Sequence, residues 1–243
     1  MTSRTTLIIG ANSSIGAAIA AHHQQLPTED IILISRKITH QLATAKNVKT
    51  IMVKNYQANS IDLAIEQLKH INSKAIGHVY ICNGILHNDA LRPEKRLEDF
   101  NQEAFNQVMT ANALTPILWL QKLTPILTGE KPCKVVLFSA RVGSISDNQL
   151  GGWYSYRASK AALNMMIKTA SIELARRAKN IKLIAFHPGT TDTALSKPFQ
   201  HNVAKDKLFS SEFVATKLSE IVENVAIDQT VSYLDWQGKT IDW

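Results

Sequence analysis

The 243-residue sequence predicts a single α/β domain, a doubly wound sheet of seven parallel strands with helices on both faces. Two observations carry that prediction. Short apolar, β-branched runs alternate with longer helical patterns along the chain, and a glycine-bearing turn joins the first such run to the first helix. Strict alternation implies right-handed crossovers, and those set helices on both faces of the sheet.

The elements follow in order. The first strand is Thr6-Leu7-Ile8-Ile9, which enters the turn Gly10-Ala11-Asn12-Ser13-Ser14-Ile15-Gly16 and a helix over 14–24. Further strands are expected at 31–35, 49–53, 77–82, 134–139, 181–187 and 231–236, and further helices at 60–72, 101–127 and 152–179. The strands are short apolar, β-branched runs, which read as parallel strands covered on both faces. No repeat, low-complexity tract or linker interrupts them, so 1–243 reads as one domain. The segment 190–209 is the least regular, contains Pro198 and follows a strand's carboxyl end, where loops of open α/β sheets meet ligands. It is a candidate substrate lid.

Composition narrows the function classes. With 45% hydrophobic and 19% charged residues, the chain can bury a full core without disulfides or metal. Cys82 and Cys133 are too few for a zinc site or a disulfide framework, which favours a reducing, cytoplasmic setting. No apolar run approaches the ~18 residues of a membrane span. The net charge of +7 invites a nucleic-acid reading, but Lys and Arg are scattered rather than gathered in a stripe. A basic balance also steers an anionic cofactor toward the protein.

Two motifs carry chemistry. Tyr156 and Lys160 lie four residues apart in a helical pattern, so phenol and ammonium share one face and the cation can stabilise a phenolate. That is a proton-transfer pair. In the glycine turn, Gly10 can adopt a conformation closed to other residues, Gly16 lets the helix sit close to the sheet, and the helix N-terminus offers free amides to a pyrophosphate. Such a loop holds a dinucleotide.

With these residues assembled, the chain resembles the classical short-chain dehydrogenase/reductase family over almost its whole length. The segment from Ser139 to Asn164 is most similar to the branch of C-factor-type signalling proteins and sniffer-type carbonyl reductases. The resemblance implies a Rossmann-type fold and a dinucleotide cradle including Gly10, Asn12, Ser13, Ser14, Ile15 and Gly16. Ile9 stands where the family has Thr, and Ser14 where it has its middle glycine. Asn83 and Gly84 occupy the family's Asn-Asn-Ala-Gly segment, with only Gly84 matching. Pro188, Gly189 and Thr193 match its Pro-Gly-x3-Thr segment and are expected near the nicotinamide.

For catalysis the resemblance implies Tyr156 as acid/base, Lys160 as its activator and nicotinamide-ribose ligand, and Asn112 as holder of a water near that lysine. The family serine falls on Ala140 when counted back from Gly143. Ser139 is the preferred candidate, and Ser144 is its rival. Arg36, followed by Lys37, stands at the end of the second strand where an NAD enzyme has a carboxylate, so NADP(H) is favoured over NAD(H).

The implied function is hydride transfer between the nicotinamide and a carbonyl or alcohol substrate. The alternative is a dinucleotide-binding regulatory or signalling protein with vestigial turnover. No metal and no membrane or nucleic-acid partner is expected. Apolar excess at Ile117, Leu118, Trp119 and Leu120, and at Leu163, Met165, Met166 and Ile167, suggests a homodimer or homotetramer paired through the two longest helices.

Overall fold

The computed structural model describes residues 4–26, 28–39, 43–201 and 203–243. Seven strands form one parallel sheet in the order β3-β2-β1-β4-β5-β6-β9: β1 (Arg4–Ile9), β2 (Glu29–Ser35), β3 (Val48–Met52), β4 (Ile76–Ile81), β5 (Cys133–Phe138), β6 (Ile181–His187) and β9 (Val231–Asp235). This is the doubly wound sheet that the alternation predicted. The order reverses between β1 and β4, so the crevice at the carboxyl ends of these strands is where such a sheet takes a ligand.

Helices cover both faces because each presents an apolar stripe. On one face lie α2 (Ala58–Ile71), α4 (Thr115–Leu127) and α5 (Tyr154–Arg177), which pack Ile61, Leu68, Leu123, Leu163 and Ile167 onto alternate residues of the strands. On the other, α1 (Ser14–Gln24) and α6 (Ser211–Asn224) contribute Ile19, Val214, Leu218 and Val222. Burying each such side chain contributes roughly 1.5–3 kcal/mol.

The differences from expectation have local causes. Helix α6 was not foreseen, although Ser210 caps it by accepting from the Phe213 amide, and Val214, Leu218 and Val222 follow at four-residue spacing. The expected helix over 101–127 is α3 (Gln102–Met109) and α4 joined by a π turn at Thr110–Leu114, which carries Asn112. Segment 190–209, of which residue 202 lies outside the described residues, contains a short parallel ladder of β7 (Thr190–Thr191) and β8 (Leu208–Phe209).

The apolar excess needs the plainest correction. Trp119 is wholly buried within the chain, with Leu120, Leu163 and Ile167, so none of these marks an interface between subunits. The exposed apolar residues of this region are Leu114, Met165 and Ile172.

Away from the crevice, Glu29 starts β2 and accepts from Arg4, Thr6 and, at 2.6 Å, pairs with His23. His78 on β4 lies beside this group, with its buried Nδ1 unpartnered among the described residues. His23, Glu29 and His78 are close enough together to suit an ion, yet Arg4 already neutralises Glu29, and the cluster sits at the opposite end of the sheet from the crevice.

Candidate active site

The crevice is a cleft of about 1390 Å3 lined by Gly10, Asn12, Ser13, Arg36, Asn83 and Gly84 among the expected cofactor residues. The glycine turn forms as its residues dictate. Gly10 has φ +76°, and a Cβ there would press on the Cys82 carbonyl at 3.2 Å. A Cβ on Gly16 would meet the Gly10 carbonyl at 2.7 Å, so only glycine lets α1 begin here. Ser13 caps that helix, accepting from the Gly16 amide at 3.1 Å and donating to the Gly10 carbonyl at 2.8 Å. Ser14 is the first helical residue and is exposed, and Ile15 packs toward the core.

At the far side of the cleft, Ser35, Arg36, Lys37, Lys54, Tyr56 and Gln57 form its rim. The Arg36 guanidinium lies 5.3 Å from the Tyr56 ring centroid, a cation–π contact that orients it. Sequence reasoning placed Asn55-Tyr56-Gln57 near the adenine but missed Lys54 and the contact of Tyr56 with Arg36. Their position just after β3, which pairs with β2, was the available signal. The buried Asn83 Oδ1 has no partner among the described residues. A cradle of small residues at a helix start, with three cations beside it, fits a dinucleotide.

Tyr156 and Lys160, the expected proton-transfer pair, stand behind the cleft wall at Gly84 rather than in its lining. Tyr156 and Lys160 share a face of α5, with Lys160 Nζ 5.7 Å from the Tyr156 ring centroid. That Nζ donates to the Phe138 carbonyl at 2.8 Å, which ties α5 to the end of β5. Burial lowers the Lys160 ammonium to about 8. Burial also pushes the Tyr156 phenol above its ordinary value, and nearby Tyr233 adds to the push. A Cβ on Gly84 would lie 3.2 Å from Asn112 Oδ1 and 3.6 Å from Lys160 Nζ, so the glycine brings the cleft wall, the asparagine and the lysine together.

Neither candidate serine lines the cleft among the described residues. Ser139 is buried and donates to Asn164 Oδ1 at 2.6 Å, while Ser144 is buried and accepts from the Asp147 amide at 3.2 Å. Ala140, at the family's position, offers its carbonyl to the Tyr233 hydroxyl at 2.6 Å. Sequence reasoning gave Asn164 and Tyr233 no role here, because their partners are distant in the chain.

The turn into α5 is strained. Gly151, Gly152 and Trp153 are all left-handed, with φ of 64°, 63° and 52°. For a bulky residue such as Trp153 that conformation costs on the order of 1–3 kcal/mol. Its ring lies 6.1 Å from the Tyr156 ring and 5.0 Å from that of Phe199 in segment 190–209, and Phe199 in turn lies 5.7 Å from His87. His87 Nε2 reaches the carbonyls of Ala194 and Leu195, pinning the segment beside α5.

Pro188, Gly189 and Thr193 follow β6 outside the main cleft. A Cβ on Gly189, at φ +73°, would strike the Phe209 ring at 2.7 Å, so this turn also requires glycine.

The sequence model of the short chain dehydrogenase family matches residues 4–204. The chain belongs to that family. The 1-hydroxy-2-glutathionyl-2-methyl-3-butene dehydrogenase of Rhodococcus sp. (strain AD45) is 26% identical over 242 residues, covering 98% of this chain and 99% of the relative. The C-signal of Myxococcus xanthus is 27% identical over 147 residues, covering 60% of this chain and 83% of the relative. Among solved structures, an NADPH-bound carbonyl reductase from chicken fatty liver superposes with a TM-score of 0.85 at 21% identity, covering 100% of both chains. These likenesses agree with the branch that Ser139 to Asn164 suggested. As a short-chain dehydrogenase the chain is an oxidoreductase with a dinucleotide fold, and no helix among its described residues is long and apolar enough to cross a membrane.

Proposed function

We propose that this protein is an NADP(H)-dependent carbonyl reductase with Tyr156 as its acid/base. The observation that carries the reading is the placement of Tyr156 and Lys160 on one face of α5, with Lys160 beside Gly84 at the wall of the dinucleotide cleft. Bound NADPH would supply the hydride. Tyr156 then donates a proton to the substrate oxygen, and Lys160 stabilises the phenolate left behind. Asn112 holds the Ile85 backbone and Ser159 next to the lysine. Gly10, Asn12, Ser13, Ser14, Ile15 and Gly16 cradle the pyrophosphate, Arg36 with Lys37 and Lys54 takes the 2′-phosphate, and Asn83, Gly84, Pro188, Gly189 and Thr193 border the nicotinamide half. The bound NADPH of the chicken carbonyl reductase supports this choice of cofactor.

Ser139 is assigned the substrate-orienting hydroxyl, since its partner Asn164 ties it to the catalytic helix. Segment 190–209 is assigned the lid, and the protein is assigned to the cytoplasm, where its two free cysteines stay reduced. Two chains pair through the exposed Leu114, Met165 and Ile172.

A panel of aldehydes and ketones assayed for NADPH oxidation tests the reading. Turnover should appear with the native protein and be abolished in Tyr156→Phe, with NADPH affinity kept within a few-fold. Wild-type turnover in that variant removes the assignment. Ser139→Ala and Ser144→Ala, run in parallel, separate the two hydroxyls. NADPH binding without turnover on any carbonyl would favour a regulatory role.

A further inference from the structure

We propose that Glu94 is a positioning residue that fixes the start of the helix carrying Tyr156 and Lys160. The inference rests on the acid/base role of Tyr156. Helix α5 begins at Tyr154, and its cap residue Trp153 has no side-chain oxygen to accept the first orphan amides. Glu94, remote in sequence and 4% exposed, supplies that acceptor. Both its carboxylate oxygens accept from the Ser155 amide, at 3.3 and 3.2 Å, and the carboxylate also accepts from the Ser155 hydroxyl.

The backbone of Glu94 grips the same turn. Its carbonyl accepts from the Trp153 amide at 2.6 Å, so one residue clamps both the left-handed Trp153 and the first turn of α5. Tyr156 is the residue after the clamped Ser155. A change in the clamp is therefore felt directly at the phenol and, one turn on, at Lys160.

The hydrogen-bond partners of the Glu94 carboxylate among the described residues are the Ser155 amide and hydroxyl, so it faces the positive end of a 24-residue helix rather than a side-chain cation.

Three variants test this in the full chain. Glu94→Ala should raise amide exchange over residues 153–157 and lower kcat by about 10-fold to 100-fold, with NADPH affinity changed by less than about threefold. Glu94→Gln, which keeps an acceptor of the same shape, should recover most of kcat and most of the amide protection. Unchanged exchange in Glu94→Ala overturns the clamp. A wild-type kcat in that variant despite faster exchange overturns its link to catalysis, and a Glu94→Gln variant that folds but recovers neither overturns the acceptor role, even where Glu94→Ala folds poorly. Tyr156→Phe assayed alongside separates this proposal from the acid/base reading, because full activity there removes that reading while amide exchange still reports on Glu94.

Discussion

Asn112 grips Ile85 through both ends of its side-chain amide: Oδ1 accepts from the Ile85 amide at 2.7 Å, and Nδ2 donates to the Ile85 carbonyl at 2.8 Å. The same Nδ2 reaches Ser159 Oγ at 3.1 Å, one residue before Lys160. The asparagine thereby ties the loop after β4 to α5. It sits in a π turn, an irregularity often kept at functional sites. Replacing it with alanine leaves two backbone groups of Ile85 unpaired, a loss of about 1–3 kcal/mol for each one buried. Asn112→Ala should therefore lower both melting temperature and turnover. Calorimetry and the carbonyl assay on one preparation check this, and a variant matching the wild type in both would reject the clasp.

Lys160 should trade stability for chemistry. Burial holds its folded value near 8, below the 10.5 of a free lysine, so between those values the unfolded chain binds the extra proton and stability rises with pH. Below pH 8 the fold carries the full burden of a buried cation. Lys160→Met should abolish turnover and stabilise the protein at pH 7 by about 1 kcal/mol, with the alkaline rise in stability removed. Thermal unfolding from pH 7 to 10 decides the matter, and an unchanged slope would count against it.

Cofactor choice should rest on Arg36 with Lys37 and Lys54. Arg36→Asp removes the phosphate's partner and adds repulsion, so NADPH affinity should fall by about 10-fold or more, each factor of ten being roughly 1.4 kcal/mol. NADH affinity should barely change. Calorimetric titration with both cofactors reads the difference, and equal affinities in the native protein would contradict the assignment.

Acid should unfold the protein in two stages. Burial lowers His78 and His187 to about 4 from 6.5, so stability contributed by their neutral forms is lost as pH falls from 6.5 through 4. Burial alone would raise Glu29, but hydrogen bonds from His23 and Arg4 outweigh it and hold the carboxyl at about 2. Its contribution is complete above 4.5 and is lost as pH falls toward 2. Urea midpoints measured from pH 7 to 3 should decline throughout, and His78→Asn should flatten the upper part. A midpoint constant between pH 6.5 and 4 would refute the histidine stage.

Association should run through the exposed apolar face of α5. Met165 and Ile172 are seven residues apart and so share a helix face, at 66% and 54% exposure. Met165→Glu with Ile172→Glu should convert a dimer into a species near 27 kDa in sedimentation, whereas Trp119→Glu should unfold the chain. A native protein that sediments as a monomer would dispose of the pairing.

The seven strands, the glycine turn after β1 and the shared helix face of Tyr156 and Lys160 could all be read from the sequence, because each depends on local periodicity or on residues a few positions apart. Gly10 and Gly16 announce a turn that no side chain permits, and a four-residue interval on a helix fixes a shared face. The serine question was not legible in the same way. Whether Ser139 or Ser144 is free to act depends on Asn164 and on the Asp147 amide, contacts made only when β5, α5 and the following loop pack together.

Tertiary packing also decided the rest. The same apolar residues on a helix can cover a sheet or a second subunit, and only the assembled core places Trp119 inside the chain while leaving Met165 outside. Helix α6 escaped notice because its stripe gains meaning from the sheet face it covers. Glu94 carried no signal at all: its carboxylate caps a helix that begins 60 residues later, and hydrogen bonds across such separations are set by where the sheet brings the loops together. Local stereochemistry therefore determined most of the elements and the shared face of Tyr156 and Lys160, and long-range packing determined which side chains surround them.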